Sequence, residues 1–395
     1  MQFQGMKFVG GLWLFYLIFQ KLDIDNYASY GIVQSITMLS SLLLGFNIHS
    51  SFQKLYSKKL IVKSVNLVIL VILFASAIFY TLVFWGLSLG GMRNVIFSNS
   101  QHAPNAVLFY LYSFSFGVIV ISSSMLNAMR KTFLYGLSTT LPVFISILAL
   151  IVIDVEDINT LILVLACSNF IVLVPVLLGN LSVFSMENYS SKRTSMIFRY
   201  IVGYTWLSIP TLSSKYSLDV VARSILLSSK GELAVAVLTF STSLFAVFRS
   251  VEQGFFRAIT PFLLLNDSDK SQKVSLTKKL ILFQSLFTVT FFMLSPYWLE
   301  ILKLIFSSKP DSVFVPLVLI VMACTTVISY VKNYYLSKAK KHAASVRRFF
   351  VIATVLNLSM LLSISIIDLS TINFVLIQLI FATLNLSLIK LLIKF

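Results

Sequence analysis

The chain has 395 residues, is 58% hydrophobic with a mean hydropathy of +0.92, and carries only 11% charged residues. That balance excludes an ordinary soluble domain, in which about a quarter of the residues are charged. The net charge of +17 would suit nucleic acid, but the bases lie in short connections between apolar runs and read as a membrane topology signal, so nucleic-acid binding is excluded too.

Apolar runs of the length needed to cross a bilayer follow one another through the chain. They cover 6–20, 29–49, 64–87, 105–128, 133–153 and 158–178; after the most polar stretch, 180–199, come 200–227, 233–262, 280–299, 313–335, 349–367 and 372–393. The expected fold is an all-α polytopic membrane protein of about twelve transmembrane helices. Its expected domains are an N-terminal six-helix bundle, 1–185, and a C-terminal one, 186–395, around a central cavity. Connections after even-numbered runs hold about four times as many Lys and Arg as those after odd-numbered runs, which places the even connections and both termini in the cytoplasm. The acids lean the other way: Asp23, Asp25, Asp154, Glu156, Asp157, Glu232 and Asp368 all fall in odd connections.

The halves share a small-residue-rich second helix, with Ser35, Ser40, Ser41 and Gly45 in one and Ser241, Thr242, Ser243 and Ser250 in the other. Small residues let helices approach closely, and six-plus-six repeats in one orientation suit an alternating-access transporter. Cys167 and Cys324 sit within apolar runs, and His49, His102 and His342 lack ligand spacing. No metal or cofactor is expected. No nucleophile–base pair or Gly-rich phosphate loop is evident, so no enzyme is expected.

The stretch around which the chain is organised is 203–265. It holds six ionisable groups in apolar surroundings: Lys215, Asp219, Arg223, Arg249, Glu252 and Arg257. A charge at the bilayer centre costs at least about 2.5–3.5 kcal/mol, so such groups face water or one another. Lys215, Asp219 and Arg223 are spaced i, i+4, i+8, and Arg249, Gln253 and Arg257 repeat that spacing on the next helix. Two polar stripes on a shared aqueous cavity are expected, with an anion as occupant because four bases outnumber two acids. The same residues also fit structural pairs, Asp219 with Arg223 and Arg249 with Glu252, leaving Lys215 and Arg257 to snorkel.

Three segments resemble the Wzx-type polysaccharide (O-antigen) flippases of the MATE-like multidrug/oligosaccharidyl-lipid/polysaccharide exporter superfamily. The first is KLDIDNYASYGIVQSITMLSSLLLGFNI, similar to the family's acidic turn, Tyr-Gly and small-residue helix. The second is LNAMRKTFLYG, with Arg130 and Tyr135–Gly136. The third spans runs seven and eight, with Pro210, Asp219, Arg223, Ile225, Leu226, Gly231 and Pro261. The chain departs from the family pattern where Ala222, not Asp, precedes Arg223 and where no Tyr follows the Gly turn.

The resemblance implies a multi-pass protein of the bacterial inner membrane. It would flip an undecaprenyl-diphosphate-linked oligosaccharide from the cytoplasmic to the periplasmic leaflet. Membrane lipids, a polysaccharide polymerase and a chain-length regulator are its implied partners. Hydroxyls such as Ser208, Ser213, Ser214 and Ser241 and rings such as Tyr204, Trp206 and Tyr216 would meet the sugar. Two alternatives stand beside it. A membrane polysaccharide polymerase or ligase should carry a large Arg-rich periplasmic loop, and a cation-coupled multidrug exporter should favour intramembrane acids.

Overall fold

A computed structural model describes the chain apart from residues 1, 46–62, 90, 98–102, 129–130, 181–190, 266–269, 298, 301–313, 340–342, 367–368 and 395; over 250–265 and some other helical stretches it describes the backbone alone. In chain order the helices are α1 (Gln2–Lys21), α2 (Ile24–Gly45), α3 (Lys63–Leu89), α4 (Met92–Ile96), α5 (Ala106–Ala128), α6 (Thr132–Val152), α7 (Ile158–Asn180), α8 (Ser191–Lys230), α9 (Glu232–Leu265), α10 (Lys270–Met293), α11 (Phe314–Ala339), α12 (Ala343–Ile366) and α13 (Thr371–Lys394). No strand occurs among the described residues. All of these helices except the one-turn α4 are long, and each coincides with one of the twelve expected spans.

Eight of them, α2, α5, α6, α7, α9, α11, α12 and α13, are long and apolar enough to cross a membrane as they stand, while α3 and α10 contain shorter apolar cores, Leu73–Gly86 and Ile281–Met293. Helix α10 (Lys270–Met293) starts and ends well before the expected 280–299, and α8 runs for 40 residues with Pro210 inside it. At 1.5 Å per residue it is about 60 Å long, twice the hydrocarbon thickness. It begins nine residues before the expected span because Ser191–Arg199, polar but free of Gly and Pro, has nothing to stop a helix.

Helix ends follow local chemistry. The Asp23 carboxylate accepts from the Asn26 N–H at 2.7 Å and starts α2, and Asp157 accepts from the Thr160 N–H at 2.6 Å and starts α7. Asn105 accepts from the Val107 N–H at 2.9 Å and starts α5. Each caps an otherwise unmet backbone donor. Between α8 and α9 the turn is the single residue Gly231, whose φ of 81° and N–H bond to the Leu227 carbonyl, 3.2 Å, make it a left-handed C-terminal stop.

The chain packs as two compact units, Leu17–Ser224 and Met1–Tyr16 with Ile225–Phe395. The expected boundary at 185/186 lies outside the described residues. In the unit Leu17–Ser224, α5 packs on α2, α6 and α7, and α2 also meets α3. At the α2–α5 crossing a Cβ on Gly117 would stand 2.8 Å from the Leu44 Cδ2, so the absent side chain is what allows the approach. Hydroxyls and amides bridge the helices inside: Thr37 to Ser113 at 3.2 Å, Thr81 to Tyr110 at 2.8 Å, and Asn169, donating, to Ser115 at 3.3 Å. In the other unit α11 packs on α10 and α13, and α12 on α13. The start of α1 joins it through Phe15–Phe240 and Phe8–Phe248 ring contacts at 5.1 and 5.5 Å.

Polar side chains such as Thr37, Ser115, Thr140, Thr239, Gln284 and Thr288 are buried in the two units, whereas Phe74, Leu82, Leu148, Val152, Phe283, Leu362 and Ile366 are exposed. Such an apolar exterior suits a hydrocarbon solvent. The protein is a multi-pass membrane protein.

Candidate functional site

The first stripe lies on α8. Lys215 is exposed, Asp219 half-buried and Arg223 only 3% exposed, so burial deepens along the helix toward its C-terminal end. Within the unit Leu17–Ser224 the guanidinium of Arg223 lies in electrostatic reach of Asp219, one helical turn away, and of the phenols of Tyr27 and Tyr30 on α2. Phe19 closes the other side of Tyr27, edge to face, with ring centroids 5.0 Å apart. The arrangement is a buried cation with one carboxylate in reach on its own helix, and that opposite charge lowers the cost of removing a guanidinium from water.

The turns near this cluster are tied together. The Lys21 ammonium donates to the Ile153 carbonyl at 3.1 Å and pairs with Asp154 at 3.4 Å. Asn26 donates to the Glu156 carbonyl and accepts from the Ile158 N–H, both at 3.3 Å. The acids that report topology in the sequence therefore also cap helices and clamp the α1–α2 turn to the α6–α7 turn.

The second stripe lies on α9, where Arg249 is half-buried and its Nε has no hydrogen-bond partner among the described residues. Glu252, Gln253 and Arg257 follow on the same helix, but their side chains lie outside the described residues, as do those of Tyr204, Trp206 and Ser208 and all of Arg130. The hydroxyls of Ser213, Ser214, Ser241 and Thr242 donate to carbonyls three or four residues earlier in their own helices. They retain acceptor lone pairs for a ligand, while their protons are engaged.

Tyr27 and Tyr30 escape a search for charge because they are neutral; the YASYG segment shows them only as spacing. Gln284 escapes it too, since a single amide in an apolar run has no periodic signature. Among the described residues no cluster of His, Cys, Asp or Glu could hold a metal ion.

No family model matches the chain, and no curated protein does. Solved structures do. An inward-facing multidrug resistance MATE family transporter of the MOP superfamily superposes with a TM-score of 0.60 at 12% identity, over 99% of this chain and 94% of that one. The MATE multidrug transporter DinF-BH superposes with a TM-score of 0.62 at 17% identity, over 98% and 92% of the two chains. The fold is MATE-like. At these identities the likeness concerns the backbone and leaves the ligand to be argued from residues. Helices α8 and α9, which hold the ionisable stripes, are the seventh and eighth long helices of the chain.

Proposed function

We propose that the protein is a flippase that carries a diphosphate-linked, polyprenyl-anchored oligosaccharide across the bacterial inner membrane by alternating access, with Lys215, Asp219, Arg223, Arg249, Glu252 and Arg257 as its substrate-binding residues. The observation that carries this reading is the sign of the membrane-embedded charge. Arg223 is a buried guanidinium with Asp219 in electrostatic reach, and Arg249 is a second, half-buried guanidinium on α9. The chain has no Asp or Glu at all between Asp25 and Asp154, so α3, α5 and α6 bring no anion to the interior. Guanidinium groups recognise phosphate oxygens by paired, charge-assisted hydrogen bonds. The polyprenyl tail can stay in lipid while the diphosphate and glycan cross through the protein.

A second reading, a cation-coupled multidrug exporter, draws on the structural neighbours, which are described as multidrug transporters. The two separate in one experiment in the native cell. Arg223→Ala and Arg249→Ala, made singly at matched protein levels, are expected to lower surface polysaccharide severalfold while leaving resistance to cationic dyes unchanged. Normal polymer with increased dye sensitivity would favour the exporter, and no change in either readout would remove both arginines from the mechanism.

A further inference from the structure

Helix α10 is inside out relative to a soluble helix. Leu282, Phe283, Leu286 and Phe287 are exposed, whereas Gln284, Thr288 and Phe292, at i, i+4 and i+8, are buried, Gln284 to 7% exposure and Thr288 to 3%. A glutamine turned away from lipid into a membrane bundle needs partners there, yet the Gln284 Oε1 has no hydrogen-bond partner among the described residues. An unmet buried acceptor is expensive, of the order of 1–3 kcal/mol.

Helix α9, which also meets α10, supplies a matching group. Phe245 of α9 meets Phe292 of α10 with ring centroids 4.7 Å apart, and Phe248 meets Phe291 at 4.6 Å. The two helices are consecutive spans and run antiparallel. Four residues on from the Phe245–Phe292 pair, about 6 Å along both axes, stand Arg249 on α9 and Thr288 on α10. One further turn along α10 stands Gln284. The Nε of Arg249 is a buried donor without a partner among the described residues, as the Gln284 Oε1 is a buried acceptor without one. A donor and an acceptor left open on adjoining levels of one α9–α10 seam, all within the unit that contains Ile225–Phe395, suit a ligand that carries both an anionic oxygen and a hydroxyl.

We propose that Arg249, Thr288 and Gln284 form a ligand subsite, with Arg249 taking a phosphate oxygen and Gln284 accepting from the hydroxyl of the first sugar beside it. This rests on the reading of the protein as a carrier of diphosphate-linked sugars and adds to it the residue that distinguishes a sugar-bearing lipid from a bare one. A site built to hydrogen-bond a hydroxyl discriminates strongly against an analogue that lacks it, because its own polar group is then stranded.

The test uses the full chain in lipid nanodiscs with two probes, a polyprenyl diphosphate and the same lipid bearing one hexosamine. The wild type is expected to bind the sugar-bearing probe more tightly. Gln284→Leu should abolish that preference, weakening the sugar-bearing probe about tenfold and the bare lipid little. Gln284→Asn keeps an amide but withdraws it by one methylene, and should also lose the preference. Gln284→Glu, which sets an acid beside Arg249, should weaken both probes. Preference retained in monodisperse Gln284→Leu and Gln284→Asn, or absent from the wild type while both probes bind, overturns the subsite. A wild type that binds neither probe overturns the carrier reading, and the subsite falls with it.

Discussion

Arg223 concentrates the energetic problem of this protein in one side chain. A guanidinium 3% exposed inside a membrane bundle is costly to bury, and Asp219 and the phenols of Tyr27 and Tyr30 lie within its electrostatic reach. Removing one member of such a group leaves the rest uncompensated, which costs up to about 3–5 kcal/mol, whereas replacing charged partners together with apolar side chains can be nearly neutral. Arg223→Leu is therefore expected to lower the thermal stability of the purified protein sharply, and Arg223→Leu with Asp219→Leu to regain most of the loss. The comparison of melting temperatures across single and double variants checks it. Additive losses would show that the two groups do not act on each other.

At the scale of elements, the α2–α5 crossing shows how sequence permits a contact that only packing uses. A Cβ on Gly117 would stand 2.8 Å from the Leu44 Cδ2 and 3.4 Å from the Ser41 Cα. The first neighbour is the end of a flexible side chain, and Leu44 borders an apolar cavity of about 110 Å³ lined also by Leu73, Phe114 and Met125. Gly117→Ala should thus be absorbed by rotation of Leu44 into that space, with little change in melting temperature. Gly117→Val adds two methyls to a Cβ already 3.4 Å from the Ser41 Cα, a backbone atom that cannot move without shifting α2. Its cost should be about 1–3 kcal/mol, the range for overpacking, seen as a lower melting temperature. Equal tolerance of both variants would mean that the crossing is looser than its geometry implies.

For the whole molecule, the charge asymmetry of the connections is the basis of a proposed orientation that can be tested chemically. If the acidic turns lie outside and the basic ones in the cytoplasm, as proposed, a cysteine replacing the exposed Glu156 should react with a membrane-impermeant maleimide added to cells whose outer surface is permeabilised. One replacing the exposed Thr132, which follows Lys131 at the start of α6, should react only after lysis. The background is low because Cys167 and Cys324 both lie within spans. The reversed labelling pattern would invert the topology and the direction of transport proposed above.

Twelve long helices were legible in the amino-acid order because each span must satisfy its backbone internally and present about twenty apolar residues to lipid. The positions of the ionisable stripes were legible for the same reason, since a charge inside such a run stands out. Helix periodicity places Lys215, Asp219 and Arg223 on one face but cannot say what that face meets. Only tertiary packing decided that Lys215 is exposed and Arg223 buried among Tyr27 and Tyr30, residues nearly two hundred positions earlier. It likewise decided that α10 turns Gln284 inward and that Asp23 and Asp157 cap helices as well as marking topology. The reason is physical: hydropathy is set residue by residue, whereas the partner of a buried polar group is set by which helices approach, and that depends on small residues and side-chain shape summed over the whole bundle.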